Sequence, residues 1–426
     1  MSKGSQPTET VLGGTNVLVR DQEQGVAPFE AHAAGILGRL REAFEEIVHA
    51  LPGPVERAHE LEKTLKIDRT LAWKIMKLVG AKDGFRVAKH VPKPVALGVF
   101  LRAAARAEVP SALIDSVRSA ASEFERLEQV HADDRSTLET MLGDCAGEGD
   151  PQSHLAHKRA AFRAIRHLWG LHATTHLVAA LLQPSAEAGR VDLAWICGHV
   201  DLSWLRSGAR WVLATSKMSD EDQQVRRPMV RDPIDGETAA GGVPLLKQFC
   251  SEPLPQFRRL DVAPGVVQDE LIGTGLGNTA AVTYFTGEIT RSVGSATRDE
   301  HNTHDEISAN VNVPAEVLIL DMFVRDDTFG AIDPELRVYR GTREARRFPF
   351  TEADELHLGE SLAHLGKGLR RVNVRDVPRY VEMCAHVFDN LGWEAPRFDV
   401  YRCRVEYPVV PSSVTMRFER PERLPT

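Results

Sequence analysis

Cysteine is scarce in this chain, and what there is stands scattered. Cys145, Cys197, Cys250, Cys384 and Cys403 are odd in number over 426 residues and never spaced as CxxC. That argues against a disulfide framework or a cysteine-built zinc site and favours a reducing compartment. Long hydrophobic runs are missing as well. The longest uncharged, helix-like run, His167 to Pro184, carries three histidines and a glycine and follows Arg163 and Arg166, so it reads as a buried helix and not a membrane span. The opening MSKGSQPTET has no apolar stretch after its single lysine; no signal peptide, a cytoplasmic location and no membrane partner are therefore expected. Familiar catalytic signatures are absent too: there is no GxSxG, Walker lysine motif, HExxH or EF-hand loop. Ile272 to Asn278, IGTGLGN, contains GxGxG without the fingerprint spacing, and the residues after it read as a strand. A phosphate cradle needs a helix N-terminus there, so this is a turn, and no cofactor is expected.

What is present fits a globular protein: 42% hydrophobic and 26% charged residues in a chain long enough for two or three domains. The net charge of -8 speaks against a protein that coats nucleic acid everywhere. Its distribution is uneven. Between Pro54 and Val95 ten bases face five acids, a local excess of +5 that leaves -13 for the remainder. A basic module on an acidic body concentrates attraction for phosphate in one place.

That module contains VERAHELEKTLKIDRTLAWKIMKLV, Val55 to Val79. Ala58, Leu61 and Leu65 recur at helical spacing in its first part, and Ala72, Ile75, Met76 and Val79 in its second. Between them lies the tight junction Lys66-Ile67-Asp68, with Ile67 plugging the gap and Asp68 suited to cap the second helix. Through Leu61, Leu65, Ile67, Asp68, Arg69, Thr70, Ala72, Lys74, Ile75 and Met76 the stretch resembles the helix-turn-helix modules of bacterial transcription regulators. Glu62 and Lys66 stand where such modules usually have a small residue and a glycine. The resemblance implies that the second helix reads the major groove through Arg69, Thr70, Trp73, Lys74 and Lys77, while Lys82, Arg86 and Lys89 hold flanking phosphates. After Gly80, AKDGFRVAKHVPKP is the place for the ribbon called a wing in winged-helix proteins, with Asp83-Gly84 as its turn. The competing reading of the same pattern is a tri-helical packing or partner-binding unit.

Around this module the chain divides by texture. Residues 1–28 are polar and glycine-bearing and predict a mobile arm. A helix over Phe29 to Leu51, with Ile36, Leu37, Leu40, Phe44, Ile47 and Val48 on one side, opens a helix-turn-helix domain over 29–95. Residues 96–185 predict a helical linker and dimerisation region, with helices at Val95–Ala107, Ser111–His131 (Ser111 as cap), Asp134–Leu142 and His154–Gln183. The last of these suggests a homodimer, and DCAGEGDPQ before it reads as a boundary. From 190 to 426 short β-branched and aromatic runs predict a β-rich domain, sandwich or barrel-like, interrupted by a loop over 216–264 and one late helix, Val377–Leu391, stopped by Gly392. The expected class is α+β, all-α first and β-rich after.

Two histidine sets offer metal-ligand chemistry. His172 and His176 have ligand spacing but no carboxylate or cysteine nearby, and read as a satisfied or solvent-facing pair. In RDEHNTHDE, Arg298 to Glu306, the residues His301, His304, Asp305 and Glu306 combine imidazole and carboxylate. The leading expectation is a regulator that binds double-stranded DNA and whose C-terminal domain takes a small-molecule or protein ligand. The alternatives are a metal-dependent enzyme with its site in the β-rich domain, or a non-enzymatic assembly protein.

Overall fold

A computed structural model of the protein describes residues 29–81, 84–145, 151–217, 231–236, 242–263, 266–298, 300, 303–343 and 349–422. The arm expected over 1–28 lies outside them. The chain forms two compact units, 1–148 and 149–426, and it is α+β, helical first and strand-rich after, with one late helix.

The first unit holds α1 (Phe29–His49), α2 (Ala58–Leu65), α3 (Arg69–Val79), the single turn α4 (Gly84–Val87), α5 (Pro94–Arg106), α6 (Ser111–His131) and α7 (Arg135–Cys145). One apolar core runs through α1, α2, α3, α5, α6 and α7. The six apolar residues whose spacing predicts α1 are all buried in it, and Phe44 stacks on Phe100 of α5 at 5.3 Å. On the surface Arg39 of α1 pairs with Glu123 of α6 at 2.6 Å, an exposed contact that contributes little by itself. Pro110 precedes α6, and Ser111 is its first helical residue instead of its cap. No wing forms from the described residues after Gly80. Gly84–Val87 and Ala88–His90 are consecutive helical turns, because Val87, Ala88 and Val91 turn inward onto the helical core instead of alternating as a ribbon requires.

The second unit begins with α8 (Pro151–Trp169), which does not continue to Gln183 as the sequence suggests. Gly170 breaks it at a left-handed φ of 74°, and β1 (Leu171–Pro184) follows. This strand lies between β2 (Arg190–Trp204), antiparallel, and β9 (Ala315–Arg325), parallel. Leu177, Ala179 and Leu181 pack on one side of the sheet and Val178, Ala180 and Leu182 on the other. A strand buried on both faces shows no alternation, so its apolar run looks like a helix. The helix on which a dimer was expected is thereby cut short.

The remaining strands are β3 (Trp211–Lys217), β4 (Arg231–Pro233), β5 (Phe257–Ala263), β6 (Val266–Leu271), β7 (Val282–Ser295), β8 (His304–Val311), β10 (Glu335–Arg340), β11 (Leu362–Lys367), β12 (Phe398–Glu406) and β13 (Ser412–Glu419). The main sheet has the order β11-β12-β9-β1-β2-β7-β4, and smaller sheets run β10-β13-β8 and β3-β6-β5. The β10-β13-β8 sheet covers one face of the main sheet, and α9 (Tyr380–Leu391) covers the other. Gly392 stops α9 at φ 67°. Beneath α9, Arg402 of β12 donates to Asp321 of β9 through Nε at 2.8 Å and Nη2 at 2.6 Å, and the Tyr380 hydroxyl donates to the same carboxylate at 2.8 Å. Asp321 is fully buried; burial pushes its carboxyl up, against the pull of Arg402.

Candidate nucleic-acid interface

Local chemistry builds the helix pair at the centre of the first unit. At the start of α2 the Glu60 carboxylate accepts the backbone N–H groups of Glu56 (2.8 Å) and Arg57 (2.9 Å). Those bonds hold its carboxyl below the ordinary range. The helix ends at Lys66, which adopts the left-handed conformation, φ 53° and ψ 47°. This is the position where helix-turn-helix modules usually carry glycine, and the conformation supplies the reason: a Cβ is tolerated there only with strain. Ile67 then turns inward and is buried. Asp68 caps α3, accepting from Thr70 N at 2.8 Å and Leu71 N at 3.3 Å; these bonds lower its carboxyl pKa.

Leu71, Ala72, Ile75 and Leu78 of α3 face the core, while Met76 and Val79 pack against it half-buried. The periodicity read from Ala72, Ile75, Met76 and Val79 is thus rotated slightly towards Leu71 and Leu78. Arg69, Thr70, Trp73 and Lys77 are exposed, and Lys74 is half-buried. Among the described residues Arg69, Lys74 and Lys77 form no ion pair. Lys77 instead places its Nζ over the Trp73 ring, 5.9 Å from its centroid. Lys82 and the side chain of Arg86 lie outside the described residues. Lys89 is exposed on the turn Ala88–His90 and shares a cleft with Trp73 and Lys77.

That cleft measures about 780 Å³ and lies between the start of α2, the second half of α3 and the turn Ala88–His90. His90 meets Trp73 edge to face at 5.4 Å. Arg57, Met76 and His90 line it without having been marked in the sequence as site residues. Only the fold brings the three segments together, and their spacing carries no signal of it.

The other candidates are distributed differently. His301 lies outside the described residues. His304, Asp305 and Glu306 are successive residues of β8, so their side chains leave on alternate faces. Arg420 holds Asp305, Arg343 and Arg417 hold Glu306, and His304 stands 3.8 Å from Glu419. They do not converge on one point. His172 and His176 are buried on β1 and do not face solvent. His176 stacks on His199 with ring centroids 4.5 Å apart and planes 14° from parallel. Imidazole lone pairs lie in the ring plane, so near-parallel rings do not aim at one ion. No group of three or more potential metal ligands occurs among the described residues.

His199 belongs to a buried hydrogen-bonded chain. Trp211 Nε1 donates to the Tyr284 hydroxyl at 2.7 Å, and that hydroxyl lies 2.8 Å from His199 Nδ1. Since an indole only donates, the Tyr284 oxygen accepts from Trp211, and the same hydroxyl is shared with the His199 imidazole. Burial pushes Cys384 and Cys403 thiols upward, so neither is a ready thiolate. No protein-family model matches this chain, and no curated protein matches its sequence.

Proposed function

We propose that the protein is a cytoplasmic transcription regulator: the first unit binds double-stranded DNA through α3, and the second takes a ligand or partner. One observation carries this reading. A helix capped by Asp68 and anchored through Leu71, Ala72, Ile75 and Leu78 offers Arg69, Thr70, Trp73 and Lys77 to water, with its cations engaged by no carboxylate among the described residues. Such side chains neutralise phosphates and reach base edges when a helix enters the major groove. The left-handed turn at Lys66 adds support, since it ends α2 abruptly and leaves a short turn before α3. A reducing location is supported by five scattered cysteines, odd in number and never spaced as CxxC. No helix among the described residues is long and apolar enough to cross a membrane.

The test is a titration of labelled mixed-sequence duplex at two salt concentrations. Lys74→Ala and Lys77→Ala should each weaken binding and reduce the slope of log affinity against log salt by about 0.9, the share of one phosphate contact. Slopes unchanged in both variants, or no binding at low salt, overturn the reading.

A further inference from the structure

Trp73 is 46% exposed, which burdens the free protein with apolar surface. The cleft explains its position. Its volume of about 780 Å³ falls within the size range of small-molecule sites, about 300 to 1,000 Å³. Trp73, Met76 and Val79 supply apolar walls, and Arg57 and Lys77 stand around them with Glu56 as the single acid among the described lining residues. A cleft lined by an indole and apolar side chains selects a flat ring, which packs offset on the indole. Excess positive charge at the rim selects an anion, and Lys77, already within 5.9 Å of the indole centroid, is placed to meet a carboxylate attached to that ring.

We propose that this cleft binds a planar aromatic carboxylate, and that the bound anion competes with duplex DNA for Trp73 and Lys77. The binding half stands on the cleft alone; the competition rests on the DNA reading above. If both ligands use the same side chains, each must weaken the other by the same factor.

The full-length chain is titrated calorimetrically with 1-naphthoate and, separately, with the uncharged 1-naphthamide. Saturable binding of naphthoate is expected, about tenfold or more tighter than of naphthamide. Trp73→Ala and Lys77→Met should each weaken naphthoate at least about tenfold, whereas Lys63→Met, exposed on α2 and outside the cleft, should leave it unchanged. Circular dichroism of each variant establishes that the helices persist. Naphthamide binding as tightly as naphthoate, undiminished binding by both cleft variants, or no saturable heat at millimolar naphthoate overturns the site. In a second titration naphthoate should raise the apparent Kd for duplex; unchanged duplex affinity at saturating naphthoate overturns the competition. Absence of duplex affinity at low salt overturns the DNA reading and the competition with it, while the naphthoate site is decided by its own titration.

Discussion

Acid should destabilise the second unit through a buried histidine. His176 is 6% exposed, stacked on His199, and its Nδ1 has no hydrogen-bond partner among the described residues. Burial lowers its pKa from 6.5 to about 4, and that of His199 falls well below the ordinary value from burial and from His176 itself. An unfolded chain takes up the proton near pH 6.5, whereas the folded one resists until about pH 4. Stability from the neutral imidazole is therefore complete above pH 6.5 and declines as pH falls towards 4. At about 1.4 kcal/mol per pH unit, His176 alone accounts for about 3 kcal/mol over the whole window and about 2 kcal/mol by pH 5. The assay is urea unfolding of the full chain at pH 8 and pH 5, followed by tryptophan fluorescence. Five of the six tryptophans, Trp169, Trp195, Trp204, Trp211 and Trp393, belong to this unit. In His176→Leu the loss between the two pH values should shrink by about 2 kcal/mol; any packing cost common to both pH values cancels. A variant that loses as much stability as the wild type over that interval would refute the reasoning.

At lower pH a different group should take over. Arg210 and then Arg258, both hydrogen-bonded to Glu270, hold its carboxyl at about 2 instead of 4.5, so their stabilisation is present above pH 4.5 and lost as pH falls towards 2. Glu270→Gln should flatten the fall in unfolding temperature between pH 5 and pH 3, and an equally steep fall would dismiss this pairing. Beneath α9, Arg402→Met leaves the fully buried Asp321 with Tyr380 alone and should cost about 3 to 5 kcal/mol in urea unfolding. The double variant Asp321→Leu/Arg402→Met should cost at least about 2 kcal/mol less than the sum of its single changes. Strict additivity would mean that the buried pair is not coupled.

Much of the helical unit was legible because its helices are amphipathic. Ile36, Leu37, Leu40, Phe44, Ile47 and Val48 mark the buried stripe of α1 directly, and Asp68 announces the start of α3 by chemistry that acts within three residues. The late helix is equally plain, with Tyr380, Cys384, Val387 and Phe388 inward and Gly392 as its stop. The run from Leu171 to Pro184 misled for the opposite reason. Flanked by strands and covered on both faces, it has no polar side from which a period of two could be read. The ribbon expected after Gly80 gave way to helical turns because Val87, Ala88 and Val91 found the helical core, a long-range choice that local spacing does not encode.

For the candidate site the division is similar. The sequence by itself determined the cap at Asp68, the basic helix that follows and the charge contrast between that region and the rest, since all three depend on neighbours a few residues away or on simple counts. Only tertiary structure decided that Arg57, Trp73, Lys77 and Lys89 share one cleft, that His176 lies against His199, and that Asp305 and Glu306 are answered by arginines. Those relations join segments separated by tens to more than a hundred residues, and they exist because burying apolar surface draws the segments together wherever their apolar faces fit.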